Sequence, residues 1–152
     1  MRNLLIIALL SLCLGSCLPG HNDYSDYKQL PVDGWAYNDP VTFNITGEDS
    51  IVDGTLSLGL RHSNAYPYSV LYLEIAYEDT TGTTHLDTLN IKMADNYGRW
   101  HGKGVGTDFQ LVDTINTRFT RINNAPVRLR HIMRVDTLRG IDMVGIEFIQ
   151  NK

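Results

Sequence analysis

The sequence predicts an all-β domain, an antiparallel β-sandwich (jelly-roll or immunoglobulin-like) of about seven to nine strands. Three observations predict it. Apolar and polar residues alternate with period two along most of the chain. Turn-forming residues interrupt these runs at short intervals. No segment carries an apolar stripe with the 3.6-residue period of a helix. One apolar row per strand means one buried face, and two sheets cover each other's apolar faces. A flattened barrel is the alternative arrangement.

The strands follow in order. In 40–46, Val41, Phe43 and Ile45 alternate with Thr42, Asn44 and Thr46. In 55–61, Leu56, Leu58 and Leu60 form one row. In 68–78, Leu71, Leu73, Ile75 and Tyr77 share a face, with Tyr68 and Tyr72 on the other. In 83–93 the row is Leu89, Ile91 and Met93. In 126–134, Val127, Leu129, His131 and Met133 share a face, which makes His131 a core histidine. In 141–149 the row is Val144, Ile146 and Phe148. Asp53-Gly54, Tyr66-Pro67, Thr81-Gly82, Asn96-Tyr97-Gly98, Asn123-Asn124 and Arg139-Gly140 mark turns.

The N-terminus reads differently. Arg2 precedes an apolar run from Leu4 to Leu14, 11 residues long. A spanning helix needs about 20, so the run is the h-region of a signal peptide. It ends Leu14-Gly15-Ser16-Cys17, which resembles the lipobox of bacterial lipoproteins. The expected organisation is a signal peptide over 1–16, a lipidated Cys17 with a flexible tether through 32, and one domain over 33–152. Residue 18 is Leu rather than the Asp associated with inner-membrane retention, so the expected location is the outer membrane, periplasmic face. Of the two cysteines, Cys13 leaves with the signal peptide, so no disulfide is expected.

Composition bounds the function. With 152 residues, 43% hydrophobic and 20% charged, the chain suits one globular domain and excludes a disordered tail or a disulfide miniprotein. A formal charge of −4 argues against wholesale nucleic-acid binding. Charge is unevenly spread. Residues 17–95 hold 12 acidic and 3 basic side chains, whereas 96–152 hold 5 and 9. Arg128, Arg130 and Arg134 fall on the outward row of one strand, where they serve either as complement to the acidic half or as a docking patch for an acidic partner.

Motifs for chemistry fail on spacing. Gly102-Lys103 lacks the upstream glycine and the following Ser or Thr of a phosphate loop. The stretch 96–106 reads instead as a bulged turn and a glycine-rich strand against which another backbone or a large side chain packs. The histidines have no ligand spacing, and no serine lies in a nucleophile elbow. No enzymatic activity, metal or cofactor is expected. Tyr66, Tyr68 and Tyr72, with Trp35 and Trp100, could stack on a sugar or a partner protein, or could pack internally.

Residues 56–106 are similar to the core of the gliding-motility lipoprotein GldH family of Bacteroidetes. The resemblance is carried by Leu60-Arg61, Tyr66-Pro67-Tyr68-Ser69, Leu71-Tyr72-Leu73, Asp87-Thr88-Leu89, Ala94-Asp95 and the run from Gly98 to Gly104. Tyr27, Leu30-Pro31, Trp35 and Pro40-Val41 extend it upstream, and Met133-Arg134, Leu138, Gly140-Ile141 and Val144-Gly145-Ile146 downstream. Val70 stands where the family favours Asn. The resemblance implies a non-enzymatic lipoprotein linked to gliding and type IX secretion, with Cys17 as its functional residue. It also implies a phylum that glycosylates Asp-Ser/Thr-apolar sites, which here contain Ser50, Thr88, Thr114 and Thr137. The expected partners are the membrane, through Cys17, and envelope proteins, through Arg128, Arg130, Arg134, Tyr66, Tyr68 and Tyr72. A carbohydrate-binding β-sandwich lipoprotein is the alternative.

Overall fold

Alternating burial runs through a computed structural model, which describes residues 22–152 and contains eleven strands within them. They are β1 (Tyr24–Gln29), β2 (Trp35–Ala36), β3 (Val41–Phe43), β4 (Ile51–Ser63), β5 (Val70–Glu78), β6 (Thr84–Lys92), β7 (Lys103–Val105), β8 (Asp108–Ile122), β9 (Val127–His131), β10 (Thr137–Leu138) and β11 (Ile141–Gln150). All pairings are antiparallel. One sheet has the order β1-β11-β4-β8-β7 and the other β3-β9-β5-β6, while β2 and β10 form a two-stranded ladder. The all-β, sandwich-like expectation holds. The four strands of two or three residues raise the count above seven to nine.

The rows read from the sequence meet between the sheets. Leu56, Leu58 and Leu60 of β4 and Val144, Ile146 and Phe148 of β11 pack in one core with Leu71, Leu73 and Ile75 of β5 and Val127 and Leu129 of β9. Each such side chain contributes about 1.5–3 kcal/mol by leaving water. The small ladder seals one margin. Trp35 is fully buried, its Nε1 donates to the Asp39 carbonyl at 2.7 Å, and His131 Nε2 lies 3.0 Å from the Trp35 carbonyl. His131 is thus the hydrogen-bonded core histidine its row implies.

The described domain begins before residue 33, inside the segment expected to be a flexible tether. Tyr24–Gln29 is a strand registered along the whole of its length against β11, from Tyr24 opposite Phe148 to Gln29 opposite Met143. Its composition is polar because it is an edge strand. Tyr27 anchors it: the ring lies over the backbones of Gly59 and Gly145, filling the space a Cβ would need at either position, and its hydroxyl donates to Glu147. An aromatic laid across paired glycines pins strand register. Gly145, on the opposite row of β11 from Val144, Ile146 and Phe148, leaves the room that Tyr27 fills.

The glycine-rich stretch behaves as its spacing implies. Gly102 adopts φ +91° and lies against the Gln110 backbone, and Gly104 lies under the Phe109 ring.

Candidate functional site

The outward row of the β3-β9-β5-β6 sheet is built by register. Glu74 stands opposite Arg130 and Ala76 opposite Arg128, while Asn90 stands opposite Tyr72. Outward residues on neighbouring strands therefore form one polar and aromatic face. At one end β9 stops at His131, and the chain bends through Ile132 and Met133. Ile132 N donates to the Tyr72 carbonyl at 3.0 Å, and Tyr72 N points to Met133 Sδ at 3.4 Å. The result is an open groove of about 600 Å³ lined by Tyr68, Tyr72, Ile132, Met133, Arg134 and Val135.

Three expected contact residues thus come together: Tyr68 and Tyr72, 37% and 42% exposed, with Arg134. Arg128 is exposed farther along the same face. Arg130 is half-buried and engaged, its Nε 2.7 Å from Glu74 Oε1 and its guanidinium over the Tyr37 ring. Neither Arg128 nor Arg134 forms an ion pair among the described residues.

Tyr66 corrects the expectation. It is 2% exposed, its hydroxyl donates to the Val70 carbonyl at 3.0 Å, and burial pushes its phenol pKa well up. Its side chain fills the core and supports Tyr68 edge-on. The tryptophans also turn inward. Trp100 is half-buried, donates from Nε1 to Asn64 Oδ1 at 2.9 Å, and packs edge-on against His62. Trp35 therefore offers no ring face to a sugar.

The sequence pattern missed Ile132 and Val135 as groove residues. Met133 packs half-buried against the core, as its row implies, and also lines the groove. Ser50, Thr88, Thr114 and Thr137 are all exposed. Cys17 lies outside the described residues. Among those residues no group of three or more His, Cys, Asp or Glu could hold a metal ion.

Among the described residues two histidines are fully buried, His62 and His131. Burial lowers both pKa values from 6.5, against the opposing pull of the Ser63 carbonyl and Asp142 on His62 and of the Trp35 carbonyl on His131. Both are neutral at pH 7. The unfolded chain takes up protons near pH 6.5 and the folded one only lower. Stability is therefore full above about pH 6.5 and declines as pH falls below it. Urea unfolding of a His62→Phe variant is expected to show a shallower decline between about pH 6.5 and 5 than the unmodified chain. An unchanged slope would show that His62 contributes none of it.

Comparison with known proteins adds what geometry does not. A family model described as GldH lipoprotein matches residues 22–148. A protein named gliding motility lipoprotein GldH, from Flavobacterium johnsoniae, is 33% identical over 157 residues, covering 98% of this chain and 97% of its own. A gliding motility lipoprotein GldH homolog from Christiangramia forsetii is 28% identical over 131 residues, covering 80% of each chain.

Proposed function

The chain belongs to the GldH lipoprotein family, and on that premise we propose that it is a non-enzymatic envelope component linked to gliding motility and type IX secretion. In this reading acyl chains on Cys17 hold it at the outer membrane, periplasmic face, and its outer sheet surface contacts other envelope proteins. The observation that carries the contact is the groove between Tyr68, Tyr72 and Arg134. Tyrosine and arginine dominate the energetics of protein interfaces, and the uncommitted guanidiniums of Arg128 and Arg134 suit carboxylates on a partner. Confinement to a membrane raises effective concentration, so modest contacts suffice for assembly.

A photo-crosslinking residue at Tyr72, in the full lipidated chain in cells, tests the contact. The expected result is an adduct with an envelope protein, weakened about tenfold or more by Arg134→Glu. Absence of any envelope adduct would overturn the docking role. Saturable binding of the domain from residue 22 onward to a glycan array, lost in Tyr72→Ala, would favour the carbohydrate-binding reading instead.

A further inference from the structure

The two large sheets are left open along one side. β6 pairs only with β5, so its second edge has no strand partner among the described residues over nine residues. β8 pairs along its length with β4, but its other edge meets β7 only at 108–110. From Leu111 onward that edge too has no strand beside it among the described residues. β6 and β8 belong to different sheets, and between them lies a groove of about 300 Å³. Its apolar floor is Leu56, Ile75, Leu89, Ile115 and Phe119.

Burial shows that the seam is incomplete. The inward row of β6, fixed by its pairing with the buried row of β5, runs Ile91, Leu89, Asp87 and His85. Its burial fades from buried at Ile91 through half-buried at Leu89 to exposed at Asp87, and His85 beyond it is half-buried, stacked on Tyr77. On β8, Asp113 stands opposite the fully buried Leu58, yet it too is exposed. Two carboxylates thus occupy inward positions where a closed sandwich would place apolar residues. Asp87 accepts from the Tyr77 hydroxyl at 2.8 Å, and no Lys or Arg stands on the inward rows of β6 and of β8 from Leu111 to Phe119.

We propose that this seam is a second interaction site, which accepts an extended segment of a partner protein as an added strand against β6. The segment has apolar residues at alternate positions and a lysine or arginine on that same inward row. An edge backbone supplies main-chain hydrogen bonds, and alternate pockets select side chains. The apolar side chains cover Leu89, Ile115 and Phe119, and the cation answers Asp87 and Asp113. The site is independent of the Tyr–Arg groove and has the opposite charge preference. Inward charges also discourage indiscriminate edge pairing, which makes the cation the selective feature.

Two synthetic probes test it on the isotope-labelled full chain in detergent. One is a capped nine-residue peptide alternating valine and threonine, with lysine replacing two valines. The other has glutamate at those positions. The lysine peptide is expected to shift amides of β6 and of 111–119 in β8, and to bind about tenfold or more tightly than the glutamate peptide. The exposed substitution Asp87→Lys should reverse that preference. No amide shift at millimolar peptide, equal affinities, or shifts confined to other strands would overturn the proposal. So would self-association through β6 without peptide, which would make a second copy the occupant. Loss of the Tyr72 crosslink leaves these outcomes unaffected, so the two sites fail or succeed separately.

Discussion

Cys17→Ser is expected to transfer the protein from the membrane fraction to the soluble one. Burial of an acyl chain contributes about 0.8 kcal/mol per CH₂, and a single chain binds only marginally, so durable attachment takes two or more. A serine hydroxyl at 17 offers no thiol for the diacylglycerol. Among the described residues no helix is long and apolar enough to cross a membrane. The expected change is a drop of about tenfold or more in the membrane-bound share after alkaline washing. Metabolic labelling with palmitate should be lost in parallel. Labelled, pelleted Cys17→Ser protein would show that the anchor lies elsewhere.

The second large effect belongs to Arg121. Its guanidinium is 1% exposed. Nη1 donates to Asn123 Oδ1 at 2.6 Å, and Nη2 donates to Asn22 Oδ1 at 2.9 Å and to the Asp49 carbonyl at 3.0 Å. The Phe148 ring lies on one side, and Gly47 passes so close that a Cβ there would meet the guanidinium at 2.7 Å. Burial lowers the Arg121 pKa, against the opposing pull of the Asp49 carboxylate. Asn22 in turn donates from Nδ2 to Asp49 and Gln150. Arg121 therefore ties the start of the domain, the 47–49 loop and the end of β8 into one network. Arg121→Ala would remove three donated hydrogen bonds, leave the Asp49 carbonyl without its guanidinium donor and open a cavity, at a cost of about 2–5 kcal/mol. Arg121→Lys should recover only part of that, because an ammonium cannot reproduce the planar fork. Urea unfolding at pH 7 measures both, and an Arg121→Ala loss below about 1 kcal/mol would show that water replaces the network.

The same arginine shows what the sequence hides. Alternation makes β4, β5, β6, β9 and β11 legible, because each sets two or more successive alternate apolar residues against polar neighbours. β8 was not read as a strand. Its inward row is Phe109, Leu111, Asp113, the Ile115–Asn116 pair, Phe119 and Arg121, and register shifts opposite Gly54, Leu56 and Ser57 break the period. A charge and a bulge in one row defeat a count of two. β1 was hidden for another reason, since its partner for Tyr27 is space provided by Gly59 and Gly145, over a hundred residues later in the second case.

The site was legible in part. Period two placed Tyr72, Arg128 and Arg130 outward, as observed. The pairing of Glu74 with Arg130 depends on which residues register opposite each other, which alternation does not specify. Tyr66 and Tyr68 flank the same proline, and the contacts that separate them, core packing and the Val70 carbonyl within reach of the Tyr66 hydroxyl, are set by the tertiary fold.

In the proposed lipidated form, the early start of the fold sets an upper bound on a stand-off distance. Asn22 is already built into the Arg121 network, so only five peptide links separate it from the sulfur at position 17. At about 3.4 Å per residue that leash reaches at most roughly 17 Å. With lipid on that sulfur, the edge bearing Asn22, Asp49 and Gln150 rides just above the headgroups, and any pull along the leash enters the molecule through the guanidinium knot.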